Sequence, residues 1–82
     1  MDVIFGPEAR VVLDALPDRE YHAIWDALDR ILLDPEAAKA APWASYVGSK
    51  RVWGEHVRGT DWSLYWDVEN DQLQIHWLLR ES

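Results

Sequence analysis

Apolar residues recur along this chain with two different periods, and the change between them divides it into a helical half and a strand half. In residues 7–16, Ala9, Val12, Leu13 and Leu16 fall at i, i+3, i+4 and i+7, the stripe of an amphipathic helix. Pro7 suits the first helical turn, where no backbone donor is needed, and Glu8 suits the positive end of the helix dipole. Pro17 ends that helix. Asp18 is the expected N-cap of a second helix, in which Tyr21, Ile24, Trp25, Leu28, Ile31 and Leu32 form a broad apolar face. So short a link folds the two helices back on each other as a hairpin. Asp34-Pro35 breaks the second helix, because Pro35 disfavours helical backbone at the residue before it.

From residue 51 onward the apolar period is two. Trp62, Leu64, Trp66 and Val68 share one face of a strand, and Leu73, Ile75, Trp77 and Leu79 share one face of the next. The opposite face carries Ser63, Tyr65, Asp67, Gln74, His76 and Arg80. Residues 2–5 read as a short opening strand ended by Gly6-Pro7, residues 36–41 as a short helical turn, and residues 42–49 as a loop. The predicted fold is therefore α+β: an N-terminal strand, a helical hairpin, then a three-stranded antiparallel meander (51–57, 62–68, 73–79) with the helices packed on one face.

With Asn70-Asp71 as a two-residue turn, Asp67 pairs with Gln74, Tyr65 with His76, Ser63 with Leu78, and Asp61 with Arg80. With Gly59-Thr60 as the other turn, His56 faces Ser63, Gly54 faces Tyr65, and Trp53 faces Trp66. This register gathers His56, Ser63, Tyr65, Asp67, His76 and Arg80 on the face away from the helices, with a dent at Gly54. It also puts Glu55 on the core side. A one-residue bulge would move residues to the opposite face.

Eighty-two residues make a single domain, 1–82. Its six Trp enlarge a core that a chain this short otherwise struggles to build. Cysteine is absent, which excludes disulfides and thiolate metal sites and is compatible with a cytoplasmic setting. No apolar run is long enough to span a membrane, and Asp2 and Glu8 sit where a secretory leader needs basic and apolar residues. The net charge of −7 argues against general phosphate attraction as a binding mode. Acidity is concentrated early, with nine acids and four bases in residues 1–41 against six and four in residues 42–82.

The opening strand with its Pro-Glu-Ala helix start, the stretch Ala27-Leu28-Asp29-Arg30-Ile31-Leu32-Leu33-Asp34-Pro35 and the hairpin strand Leu64-Tyr65-Trp66-Asp67-Val68 together resemble the RelE/ParE superfamily of toxin-antitoxin toxins. The resemblance covers almost the whole chain as an architecture. It implies the toxin component of a type II toxin-antitoxin system, with a cognate antitoxin as partner and ribosome-dependent mRNA cleavage as an activity. In that family Lys and Arg on the concave sheet face stabilise the scissile phosphate. Here Ser63, Gly54 and His56 stand at those positions.

The residues left to carry RNA cleavage are His56 and His76 as general acid and base, Arg58 and Arg80 on the phosphate, and Tyr65 in support. Read structurally, the same histidines are amphipathic strand residues and Arg80 is paired with Asp61. A Ser63-His-Asp67 hydrolase arrangement lacks a nucleophile elbow and oxyanion donors. His56, His76 and Asp67 are a thin basis for a metal site, and no cofactor or metal is expected. Trp43 and Tyr46, in the predicted loop, fit either stacking on a partner or capping the core. From a different class stands a non-catalytic interaction module of the same fold, or a gyrase-type inhibitor; a homodimer is compatible with each.

Overall fold

The computed structural model describes residues 1–81. Its elements are β1 (Asp2–Phe5), α1 (Pro7–Asp14), α2 (Asp18–Leu33), α3 (Pro35–Ala40), β2 (Ala44–Val47), β3 (Val52–His56), β4 (Trp62–Glu69) and β5 (Gln72–Arg80). They form one sheet in the order β1-β5-β4-β3-β2. β1 runs parallel to β5, and the other neighbours are antiparallel.

The class is α+β, but the predicted three-stranded meander is corrected to a mixed sheet of five strands. Two features account for the difference. Ala44–Val47, expected to be loop, pairs with β3 as an edge strand. An edge strand has one neighbour and little to bury, so its sequence need not show the apolar alternation of β4. The opening strand also enters the sheet, pairing Val3 with Leu73 and Phe5 with Ile75. Arg51, expected to begin a strand, instead takes a left-handed conformation (φ 57°) in the β2–β3 turn. Asp18 is the first residue of α2 rather than its cap, a position held by Pro17 without a side-chain hydrogen bond. Asp34 does cap α3, accepting from the Ala37 N–H at 3.1 Å.

One core lies between the helices and the sheet. Ala9 and Leu13 of α1 and Ile24, Ala27, Leu28 and Ile31 of α2 meet Leu64, Trp66, Leu73, Ile75 and Leu78. Pairing of β3 with β4 follows the expected register, with Trp53 opposite Trp66, Gly54 opposite Tyr65, and His56 opposite Ser63. The β4–β5 hairpin starts in register too. Asn70 and Asp71 at φ 53° and 58° make the tight turn, and Asp67 faces Gln74. Then the ladder slips. Trp66 pairs with Ile75, while Tyr65 pairs with Trp77, which leaves His76 as an extra residue in β5.

Every side chain of β5 beyond His76 therefore changes face. Trp77, expected in the core, is half-buried beside Tyr65, their ring centroids 6.4 Å apart. Leu78 takes the buried place opposite Leu64, and Leu79 is exposed. Arg80 moves to the helix side, where its guanidinium lies 4.9 Å from the Trp62 ring centroid. The expected pairs Tyr65–His76, Ser63–Leu78 and Asp61–Arg80 are replaced by Tyr65–Trp77, Ser63–Leu79 and Trp62–Arg80.

The dent at Gly54 is filled. The Tyr65 ring crosses it so closely that a Cβ at residue 54 would sit 2.8 Å from Tyr65 Cε1. The Tyr65 hydroxyl then donates to Glu81 at 2.9 Å.

The two tryptophans of the hairpin should behave differently. Trp66 is fully buried, so Trp66→Ala is expected to cost about 3–5 kcal/mol in urea unfolding, enough to abolish a cooperative transition in a small domain. Trp77→Ala, on the open face, is expected to cost roughly 1–2 kcal/mol and keep a cooperative transition. Equal losses would place both rings in the core.

Candidate functional site

The sequence explains why α2 borders a cleft. Arg19, Glu20, Ala23, Asp26, Ala27 and Arg30 fall at helical spacing on the side of α2 facing the β3–β4 turn. Two of those positions are alanines, too short to reach the turn. A cavity of about 730 Å³ opens there, lined by Ala23, Asp26, Ala27 and Arg30 on one side and Trp43 and His56–Gly59 on the other. A smaller polar cleft adjoins it, lined by Arg19, Glu20, His56, Gly59, Thr60, Asp61 and Arg80. His56 and Gly59 border both.

The walls are fixed by polar ties. Arg19 donates to the Gly59 carbonyl at 3.3 Å, linking α2 to the turn. The Trp62 indole N–H donates to Glu20 at 2.7 Å, and the Arg80 guanidinium lies over the same side chain's ring. Thr60 Oγ1 donates to the Val57 carbonyl at 2.9 Å and accepts from the Trp62 N–H at 3.0 Å, holding the turn shape. Gly59, at φ 81°, supplies the left-handed residue the turn requires.

Four arginines and His56 thus border the paired clefts, against the carboxylates of Glu20, Asp26 and Asp61. Among the described residues, Arg19, Arg58 and Arg80 form no salt bridge, whereas Arg10 and Lys39 on the outer surfaces do. The anticipated Arg80–Asp61 ion pair is absent from those interactions. Arg30 is shared. Its guanidinium lies 3.5 Å from a Glu55 carboxylate oxygen and 5.6 Å from the Trp43 ring centroid.

Glu55 stands on the core side, as the β3–β4 register requires. Its side chain is 1% exposed, and neither carboxylate oxygen has a hydrogen-bond donor in good geometry. Burial pushes its carboxyl above the usual range, opposed by the attraction of Arg30 and by the nearby Trp66 indole N–H. That indole favours the carboxylate without completing a hydrogen bond. Pairing with the core residue Leu64 puts Glu55 on the buried face of β3, and the side chains of Leu64 and Ala44 beside it offer the carboxylate no donor.

The candidate residues separate into two groups. His56, at the end of β3 opposite Ser63, borders both clefts, while Arg58 lines the larger and Arg80 the smaller. Tyr65 and His76 lie on the open sheet face, where His76 Nε2 contacts Asp67 at 3.0 Å and Tyr65 binds Glu81. Burial, then the Glu81 hydrogen bond and charge, raise the Tyr65 phenol above its ordinary value, which keeps it a hydrogen-bond donor. His56 and His76 are two strands apart and offset along them, a separation on the order of 13 Å from strand geometry. The expected cluster of His56, Ser63, Tyr65, Asp67, His76 and Arg80 on one face is therefore corrected. The bulge at His76 removes Arg80 from it, and Ser63 is buried.

Trp43 and Tyr46 are both about half exposed. Tyr46 stands on the edge strand beside Trp53, with centroids 5.2 Å apart. Trp43 belongs to the cleft wall. Arg19 and Arg30 were not singled out in the sequence, though their spacing from Ala23 and Ala27 along α2 was a readable signal. No described group of three or more His, Cys, Asp or Glu is arranged to hold a metal ion. Among the described residues, no helix is long and apolar enough to cross a membrane.

Comparison with known proteins gives no match to a protein family, to a curated protein or to a solved structure.

The position of Glu55 fixes the sign of a pH effect. A carboxyl whose folded value is raised contributes most below the ordinary carboxylate range, and that contribution is lost as pH rises through the raised value. Glu55→Gln is therefore expected to melt higher than the parent at neutral pH, with the gap closing as pH falls through the carboxylate range. A parent more stable than the variant at neutral pH would show that Arg30 outweighs desolvation.

Proposed function

We propose that this domain is a toxin-like protein of the RelE/ParE kind whose arginine-lined clefts engage the phosphates of RNA. The observation that carries the proposal is that two adjoining clefts, sharing His56 at their rim, are bordered by Arg30 and Arg58 on one side and by Arg19 and Arg80 on the other, in a chain of net charge −7. Three of these guanidiniums have no acid partner among the described residues, so each can form charge-assisted hydrogen bonds to phosphate oxygens. Trp43 offers a ring on which a base can stack beside Arg30.

In a cleavage step, His56 takes the 2′-hydroxyl proton as that oxygen attacks phosphorus. Arg58 and Arg80 hold the non-bridging oxygens, and the departing 5′-oxygen is protonated from water. His76 lines neither cleft and is assigned no part in this step. The setting is cytoplasmic, and a cognate antitoxin would pair along the free edge of β2, where Tyr46 is exposed.

The exposed Tyr46 on an unpaired edge also favours a second reading, a non-catalytic interaction module of the same fold. Induced expression in a bacterial host separates the two. Growth arrest that His56→Ala abolishes supports cleavage, and arrest that survives His56→Ala but not Tyr46→Ala supports the module.

Phosphate contact has its own signature. Arg58→Ala is expected to weaken binding of a short RNA about tenfold, within the range of charged hydrogen bonds. It should also lower the slope of log affinity against log salt by roughly 0.7, the increment for one lost single-strand phosphate contact. An unchanged slope would remove Arg58 from the interface.

A further inference from the structure

Arg30 has two possible partners, and one of them is buried. Its guanidinium reaches inward to Glu55 at 3.5 Å while lining the cleft beside Trp43, and its side chain is 46% exposed. Among the described residues, neither Glu55 oxygen has a hydrogen-bond partner. A phosphate in the cleft would compete with Glu55 for the same cation, and whereas Glu55 holds it by a single 3.5 Å contact without a hydrogen bond, a phosphate free to orient there can accept two parallel N–H bonds. A carboxylate stripped of its cation in a buried site is costly unless it becomes neutral.

We propose that Glu55 is a proton-linked latch on Arg30: a phosphate-bearing ligand entering the cleft takes the guanidinium, and the buried carboxyl takes up one proton from solvent. The inference rests on the phosphate-binding reading above. The balance is simple, one proton gained at Glu55 for one ion pair exchanged at Arg30. The charged surroundings of Glu55 are sparse. Arg30 comes from α2, and the residues opposite Glu55 on β2 and β4 are the uncharged Ala44 and Leu64. Burial already holds the Glu55 carboxyl above its ordinary range, which favours that uptake. In the free protein, ionised Glu55 neutralises Arg30 and keeps it in the cleft wall. Glu55 is a positioning residue, acting on the ligand through Arg30.

His56 borders the same cleft, and its protonation also favours an anion, so pH dependence in the parent alone does not identify Glu55. The test is the affinity of the full chain for a short 2′-O-methyl oligouridylate, which cannot be cleaved, measured across about pH 5 to pH 8 in the parent, Glu55→Gln and His56→Gln. One linked proton changes affinity by up to about tenfold per pH unit. The expected result is binding that strengthens as pH falls in the parent and in His56→Gln. Glu55→Gln should lose that component and bind at the upper end of the range at least as tightly as the parent. The same slope in Glu55→Gln as in the parent, or a flat parent, overturns the latch while leaving phosphate binding standing. No binding at any pH overturns both. If Glu55→Gln does not fold, carboxyl ¹³C titration of the parent reads the same coupling. Its Glu55 midpoint should rise with saturating oligonucleotide, and an unmoved midpoint refutes the latch.

Discussion

One extra residue in β5 determines how this molecule divides its surface. Because strand side chains alternate, the slip at His76 reverses every position that follows. Without it, Trp77 and Leu79 would point into the core and Arg80 would stand on the open face. With it, Leu78 closes the core against Leu64, and Arg80 reaches the helix side to cover Trp62. The bulge itself is held by local contacts on both sides of the sheet, with His76 against Asp67 and Trp77 against Tyr65 on the open face and Leu78 buried beneath.

The cleft depends on that reversal and on α2. Arg80 lies over the Trp62 ring and Glu20 accepts from its indole N–H, so the helix and the last strand are joined through a single side chain. Alanines at 23 and 27 leave the space that Arg30, Arg58 and His56 border. The buried Glu55 works against the marginal stability of a domain this size, since a charge with no hydrogen-bond donors is a net cost. Its presence next to a cleft arginine is better explained by the behaviour of Arg30 than by the strength of the core.

Much of the architecture was legible because long periodic segments are specified by burial. The extents of α1 and α2, the β4 face of Leu64 and Trp66, the Asn70-Asp71 turn and the β3–β4 register all follow from local pattern. The edge strand Ala44–Val47 was not legible, because pairing on one side asks little of its side chains. The bulge was invisible for another reason. Leu73, Ile75, Trp77 and Leu79 satisfy strict alternation, and the slipped choice of Leu78 is decided by packing against Leu64. At the site, His56 and Arg58 were identifiable as polar residues near a turn, but the contributions of Arg19 and Arg30 required the helix to be placed beside that turn.

Arginine side-chain Nε–Hε correlations, recorded by NMR while a short noncleavable RNA is added, test the central claim most directly. The account expects Arg30, Arg58 and Arg80 to shift together and saturate at one affinity, with Arg10 and Arg51 unmoved. Shifts confined to the open face around Tyr65 and His76, or no arginine shifts at saturating RNA, would contradict it.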